Sequence, residues 1–248
     1  MRRTVLVTGG GKRLGAAIVR RLARDGHRMV IHQHRQHGGA EHIAAEIGAA
    51  TVVGDLADLG AIGALFTAAR DAAGGPIDGL VNSASAFVFD EPAAIDPDLY
   101  ARLGAINGGA PALLAGALAA QDDIEHGSVV NILDQKVANP NPDFFSYSCA
   151  KMALAGATGM LAQAFAPRVS VNAVSPGLTL PSGDQTEEEF AAVASINLLR
   201  RPVGADAVSD AVAYLIGSRG VSGQNLFVDC GQRFLPRARD VMFERSHG

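Results

Sequence analysis

Short apolar runs alternate along this chain with longer stretches of helical periodicity, and that alternation restricts the possible folds more than any other feature. Strand–helix–strand repetition is the pattern of βαβ units, whose crossovers make neighbouring strands parallel. The runs TVLVT and SVVNIL are apolar nearly throughout, as strands buried on both faces should be. Strands are expected over 4–8, 29–32, 51–53, 79–82, 128–133, 169–174 and 225–228. Helices are expected over 14–24, 40–47, 59–72, 97–120, 144–165 and 206–218. There is no internal repeat or linker, so residues 1–248 read as one α/β domain.

Two stretches stand outside the pattern. Residues 178–201 form a long insertion containing Pro181, Gly183 and the acidic run TEEEF. Glu187–Glu189 suit the first turn of a short helix, and the whole segment suits a lid over a substrate. Residues 232–248 are polar and Arg-rich, fitting either a frayed tail or an arm that reaches a neighbouring subunit.

A net charge of −4 gives no electrostatic reason to expect nucleic acid or an anionic membrane as partner. No apolar stretch approaches the roughly 18 residues of a membrane span. MRRTVLVTGG runs directly into the first strand without room for a signal peptide, and two cysteines make no disulfide framework. A cytoplasmic setting is therefore expected, and no metal. Of the 21 basic residues only Lys12, Lys136 and Lys151 are lysines. A lysine here is less a casual surface charge than in most chains, and Lys12 and Lys151 fall inside motifs.

The first motif, Thr8-Gly-Gly-Gly-Lys-Arg-Leu-Gly15, lies between the first strand and the first helix. Glycines at that junction let the backbone approach a pyrophosphate at the positive end of the helix dipole. Gly9 and Gly11 fit the G-x-G-x-x-G spacing, but Leu14 holds the third position and Gly15 comes one later. The second strand ends in Ile-His-Gln-His34-Arg35-Gln36 without an acid for a ribose 2′-hydroxyl. His34 and Arg35, with Arg13 and Lys12, argue instead for a 2′-phosphate and NADP(H). Asp55 fits an acceptor for the adenine amino group and equally a helix N-cap.

The second motif is Tyr147-x-x-x-Lys151, preceded thirteen residues earlier by Asp134. A phenol and an ammonium four apart share a helix face, and the cation is expected to lower the phenol pKa toward neutrality. That suits hydride chemistry on a C=N or C=O bond, where the heteroatom must be protonated. Asp134 suits the N–H donors of a heteroaromatic ring, or a loop cap. Phe87 fits a stacking platform or the core, and Cys149, turned away from both motif residues, fits packing.

Taken together and in order, these positions resemble the short-chain dehydrogenase/reductase family over essentially the whole chain. The residues that carry the resemblance are Thr8-Gly9…Gly15, Asp55-Leu56, Asn82-Ser83-Ala84, Asn107, Tyr147-x-x-x-Lys151 and Ser175-Pro176-Gly177. It implies a Rossmann-type, doubly wound, seven-stranded parallel sheet flanked by helices. Asp134 replaces the family's usual serine, and Arg13 its usual Gly or Ala. Both departures, with Lys12–Gly15, His34-Arg35 and Ser83-Ala-Ser85-Ala-Phe87, look like the pteridine reductase branch. For that branch the resemblance implies Asp134, Tyr147 and Lys151 as catalytic residues. Asn107 is then expected to prop a water, although an Asn in a helix kink also bonds backbone locally. Ser85, Phe87, Asp134 and Tyr147 are implied to meet the substrate. Thr8, Gly9, Lys12, Arg13, Leu14, Gly15, His34, Arg35, Gln36, Asp55, Leu56, Asn82–Ala84, Ser85, Tyr147, Lys151, Pro176, Gly177 and Leu178 are implied to hold NADP(H). The implied assembly is a homotetramer. Ser83 in place of Asn, and Asp229-Cys-Gly-Gln in place of Asp-Gly-Gly, depart from the pattern. A carbonyl or 3-oxoacyl reductase is the alternative enzyme, and an NADP-binding sensor the non-enzymatic reading.

Overall fold

A computed structural model describes residues 2–36, 39–181 and 185–243. Seven parallel strands form one sheet in the order β3-β2-β1-β4-β5-β6-β7. In chain order the described elements are β1 (Thr4–Thr8), α1 (Arg13–Arg24), β2 (Arg28–Gln33), α2 (Ala40–Ile47), β3 (Ala50–Val53), α3 (Ile62–Ala73) and β4 (Gly79–Asn82). There follow α4 (Pro97–Gly104), α5 (Ala110–Ala119), β5 (Gly127–Ile132), α6 (Phe145–Phe165), β6 (Val169–Pro176), α7 (Glu187–Ala194), α8 (Ala205–Gly217) and β7 (Asn225–Val228).

Side chains alternate across each strand, and here both faces are apolar. Leu6, Val30, Leu80, Val129 and Val171 join one core with residues of α3 and α5, while Val5, Val7, Ile31, Val81 and Val174 join the other with residues of α1 and α8. The strand order reverses between β1 and β4, and in open α/β sheets the crevice at the strand carboxyl ends there is where ligands bind. Thr8 and Asn82 are registered opposite each other at that point.

The helix expected over 97–120 is instead three pieces. A π-helical turn, Ala105–Gly109, separates α4 from α5 and holds Asn107 fully buried. Pro111 supplies the physical reason: it has no N–H to offer the carbonyl four residues earlier, so the α-helical ladder breaks there. The insertion contains α7, with Glu187, Glu188 and Glu189 in its first turn. Thr186 Oγ1 accepts from Glu189 N (3.1 Å) and Glu189 Oε2 from Thr186 N (2.8 Å), a capping box. Gly183 lies outside the described residues, as does the last part of the tail, 244–248. The described tail is packed on its own chain, with 3-10 turns at Gln232–Phe234 and Val241–Phe243.

Candidate active site

At the carboxyl ends of β1, β4 and β5 a cavity of about 920 Å³ runs from the first glycine loop to the start of α6. Its nucleotide end is shaped by close backbone approaches. A Cβ on Gly15 would lie 2.2 Å from the carbonyl oxygen of Gly9, and one on Gly9, whose φ is +64°, 2.9 Å from Ala84 Cα. Only glycine fits either position. Lys12, the N-cap of α1, gives no side-chain cap, so the helix N-terminus faces the cavity with backbone donors available to an anion. Arg13 takes the family's glycine position with φ 52° and donates from Nη2 to the Pro181 carbonyl, tying the loop to the insertion.

His32, buried and neutral, locks this loop to its neighbours. Its Nδ1 accepts from Gly9 N at 3.3 Å and its Nε2 lies 3.0 Å from Gly54 O, so the geometry assigns the proton to Nε2. Burial holds its pKa below the usual histidine value. His34, Arg35 and Asp55 line the cavity just beyond, all exposed. His34 Nε2 is 3.5 Å from Asp55 Oδ2, and Asp55 Oδ1 accepts from Ala57 N at 2.9 Å. That backbone bond, with His34 and Arg102 nearby, holds the Asp55 pKa below its ordinary value. The cap of the following turn is Asp58 rather than Asp55, because Asp58 takes the Gly60 and Ala61 amides.

Lys12, Leu14, Leu56, Ser83, Ala84, Ser85, Phe87, Pro176, Gly177 and Leu178 also line the cavity. Three expected cofactor residues do not. Thr8 is buried, its hydroxyl accepting the Ser83 and Ala84 amides at 3.0 Å, so it shapes the crevice from behind. Asn82 is buried in a ladder to Asn131 Oδ1 (2.8 Å) and the Pro111 carbonyl (3.2 Å). Gln36 lies exposed outside the lining. Asn107 is likewise behind the wall rather than in it. Its Nδ2 donates to Ala86 O at 2.9 Å, and its Oδ1 accepts from Ser85 Oγ at 2.8 Å and Ala86 N at 3.2 Å. It braces the 85–86 turn, the local role open to an Asn in a kink.

At the other end Asp90 takes the Ser146 amide (3.0 and 3.2 Å) and hydroxyl, anchoring the first turn of α6. Tyr147 and Lys151 thereby point across the end of β5. Tyr147 Oη donates to Asp134 Oδ2 at 2.8 Å, while Asp134 Oδ1 accepts from Lys136 N at 2.8 Å. Lys151 Nζ donates to the Ile132 carbonyl at 2.7 Å and sits 5.7 Å from the Tyr147 ring centroid. Burial pushes the Lys151 pKa down to about 8, with the Asp134 carboxylate opposing the shift. Burial likewise raises the Asp134 pKa.

The ionisation expected of Tyr147 is reversed. Burial first, then the charge and hydrogen bond of Asp134 and the charge of Asp240, push its pKa well above 10.0. The phenol is a held proton donor, aimed at a carboxylate. Phe87 is 37% exposed, with its ring stacked on Phe144 (4.0 Å) and edge-on to Tyr147 (4.7 Å). It is neither core nor a free platform, but one face of an aromatic wall.

Sequence reasoning passed over Lys136, Arg237, Asp240 and Val241, which line the same cavity. The rarity of lysine was the available signal for Lys136; the three tail residues carried none. Among the described residues no group of His, Cys, Asp and Glu is arranged to hold a metal, and no helix is long and apolar enough to cross a membrane.

Residues 3–192 match the family described as short chain dehydrogenase. A crystal structure of FolM alternative dihydrofolate reductase 1 from Brucella canis, complexed with NADP, is similar with a TM-score of 0.89 and 40% identity, covering 95% of each chain. An uncharacterized oxidoreductase of Methylorubrum extorquens is 30% identical over 93% of this chain and 98% of its own. Dihydromonapterin reductase of Klebsiella pneumoniae is 26% identical over 93% of this chain and 96% of its own.

Proposed function

The chain belongs to the short-chain dehydrogenase family, and from that premise we propose that it is an NADPH-dependent reductase of a dihydropterin or dihydrofolate. The observation that carries the substrate class is the buried Asp134 carboxyl bonded to the Tyr147 hydroxyl at 2.8 Å. NADPH, when bound, supplies a hydride to the electrophilic carbon of the substrate. Gly9, Gly15 and the amides opening α1 fit its pyrophosphate, and Arg13, His34 and Arg35 a 2′-phosphate. Lys151, its ammonium 5.7 Å from the Tyr147 ring centroid, would hold the nicotinamide ribose.

The proton needed at the reduced nitrogen comes from the Asp134–Tyr147 pair. Burial raises the Asp134 pKa toward the range of a donor near neutral pH and keeps the Tyr147 phenol protonated. A pterin offers amino and ring N–H groups beside a carbonyl, and a carboxyl can accept from or donate to such an edge where a serine hydroxyl offers less. Phe87, with one ring face already stacked on Phe144, would offer only its other face to the flat ring.

We further propose a cytoplasmic homotetramer. The faces of α4 to α6 support close helix packing, with an apolar groove lined by Gly104, Gly108, Gly109 and Ala153 and with exposed Leu113 and Met160 nearby. The test of function is NADPH oxidation by purified protein with dihydrobiopterin, dihydromonapterin, dihydrofolate and a 3-oxoacyl thioester. Turnover of a pterin or folate but not the thioester is expected; turnover of the thioester alone would replace this reading with a carbonyl reductase. A sensor would bind NADPH and show no turnover that Tyr147→Phe abolishes.

A further inference from the structure

We propose that residues 235–243 form a strap walling the substrate end of the cavity, and that Lys136 is the positioning residue that holds it there. The inference rests on the pteridine reductase reading for the identity of the substrate, though not for the strap itself.

Lys136 is 3% exposed, and its ammonium is saturated by three oxygens: Asn141 Oδ1 at 2.8 Å, the Asp143 carbonyl at 3.0 Å and Asp240 Oδ2 at 2.8 Å. A second pair reinforces it. Asp143, also buried, accepts from Arg239 Nε at 2.8 Å on both oxygens and from the Asp240 amide at 2.6 Å. Asn139 Nδ2 reaches the Leu235 carbonyl at 3.0 Å. The segment 136–143, which connects Asp134 to α6, is thus stitched to the tail about 100 residues later at three points.

Phe243 adds an apolar contact. Its ring lies over Phe144 at 6.0 Å and meets Phe89 edge-on at 5.2 Å. Phe144 in turn stacks on Phe87, which touches Tyr147. The strap is therefore three ring contacts from the proton donor, and its Arg237, Asp240 and Val241 face the cavity. Lys136 also offers its backbone amide to Asp134, so one residue orients the acid and fastens the wall opposite. A wall fixed this way bears on which substituent the substrate ring carries, and leaves the nucleotide end untouched. Removing one member of a buried pair strands the other charge, which should free the strap.

Amide hydrogen exchange and steady-state kinetics on the full-length enzyme test this together. Lys136→Met should raise exchange in 235–243 without altering exchange in the sheet. It should also raise KM for dihydrobiopterin roughly tenfold, more than it lowers kcat, with NADPH Kd unchanged. A chain ending at Phe234, which removes the strap outright, should show the same KM change and covers the case in which Lys136→Met folds poorly. Unchanged exchange in 235–243, a wild-type KM in the truncated chain, or NADPH Kd deteriorating in step with KM would each overturn the proposal. If the wild-type enzyme reduces no pterin, the substrate reading fails, while the exchange measurement still decides whether Lys136 holds the strap.

Discussion

Replacing Asp134 with serine, the residue usual in the family, tests the site at its most distinctive point. The carboxyl makes two bonds of 2.8 Å, one from the Tyr147 hydroxyl and one from the Lys136 amide. A serine oxygen sits closer to the backbone and keeps at most the nearer amide. The bond to the phenol, a hydrogen bond to a charged group, is worth about 1.5–3 kcal/mol. If that bond orients the donor in the transition state, kcat for pterin reduction should fall roughly tenfold to a hundredfold, at about 1.4 kcal/mol per decade. Both the charge and the hydrogen bond of Asp134 raise the Tyr147 pKa, so the variant's phenol should titrate at lower pH than the wild type's. NADPH affinity should stay near wild type, because the hydrogen bonds of Asp134 go to Tyr147 and Lys136, outside the glycine loop. The assay is NADPH oxidation against pH with a dihydropterin, beside NADPH titration calorimetry. A variant with wild-type kcat, or with its alkaline limb moved upward, would refute the assignment of Asp134 as the partner of Tyr147.

Gly15→Ala places a Cβ 2.2 Å from the Gly9 carbonyl oxygen; overpacking of about 1–3 kcal/mol should weaken NADPH binding roughly ten- to a hundredfold, measured by calorimetry. Arg35→Asp should move cofactor preference toward NADH by roughly tenfold in the ratio of kcat/KM values, since a charge-assisted phosphate contact is lost and a repulsion gained. Lys151 is charged below its pKa of about 8, so kcat/KM should be level below that pH and fall above it. Stability has the opposite sign: the unfolded lysine keeps its proton up to 10.5 while the folded one loses it near 8, so denaturant stability should rise with pH across that window.

Most of the sheet was legible because buried parallel strands have one signature, a continuous apolar run between helical periods. β1, β4 and β7 were read to the residue, and the others within a few positions. The fourth predicted helix was read as continuous although Pro111 marks its break, because small residues on both sides of the π turn let the periodicity carry across it. Within the site, residue type told less than backbone demand. Thr8, Asn82 and Asn107 belong to the motif, yet the Thr8 hydroxyl, the Asn82 Nδ2 and the Asn107 amide bond neighbouring backbone and side chains. A motif residue can thus serve the cavity by shaping its wall, and sequence does not distinguish that from contact. The Tyr147 ionisation was misread for a related reason. Spacing four apart places a lysine on the same helix face, but the Lys151 ammonium turns to the Ile132 carbonyl while the carboxylate takes the phenol.

The lysines show how composition can carry more than motif. All three of them line the cavity, in a chain that otherwise writes positive charge as arginine. For Lys136 the reason is geometric. Three acceptors, an amide oxygen, a backbone carbonyl and a carboxylate, converge on one buried point. An ammonium can direct three donors from a single atom, whereas a planar guanidinium spreads five donors over a fork matched to one carboxylate. Arg239 reaches Asp143 from the exposed side with one donor, its Nε–H, shared between both carboxylate oxygens. The two cations of the clamp are therefore not interchangeable: the buried convergent site uses all three donors of an ammonium, whereas the open one uses a single N–H of a guanidinium. The composition bias that marked Lys12 and Lys151 as functional applied equally to Lys136, whose ion-pair partner, Asp240, lies 104 residues away and leaves no local pattern in the sequence.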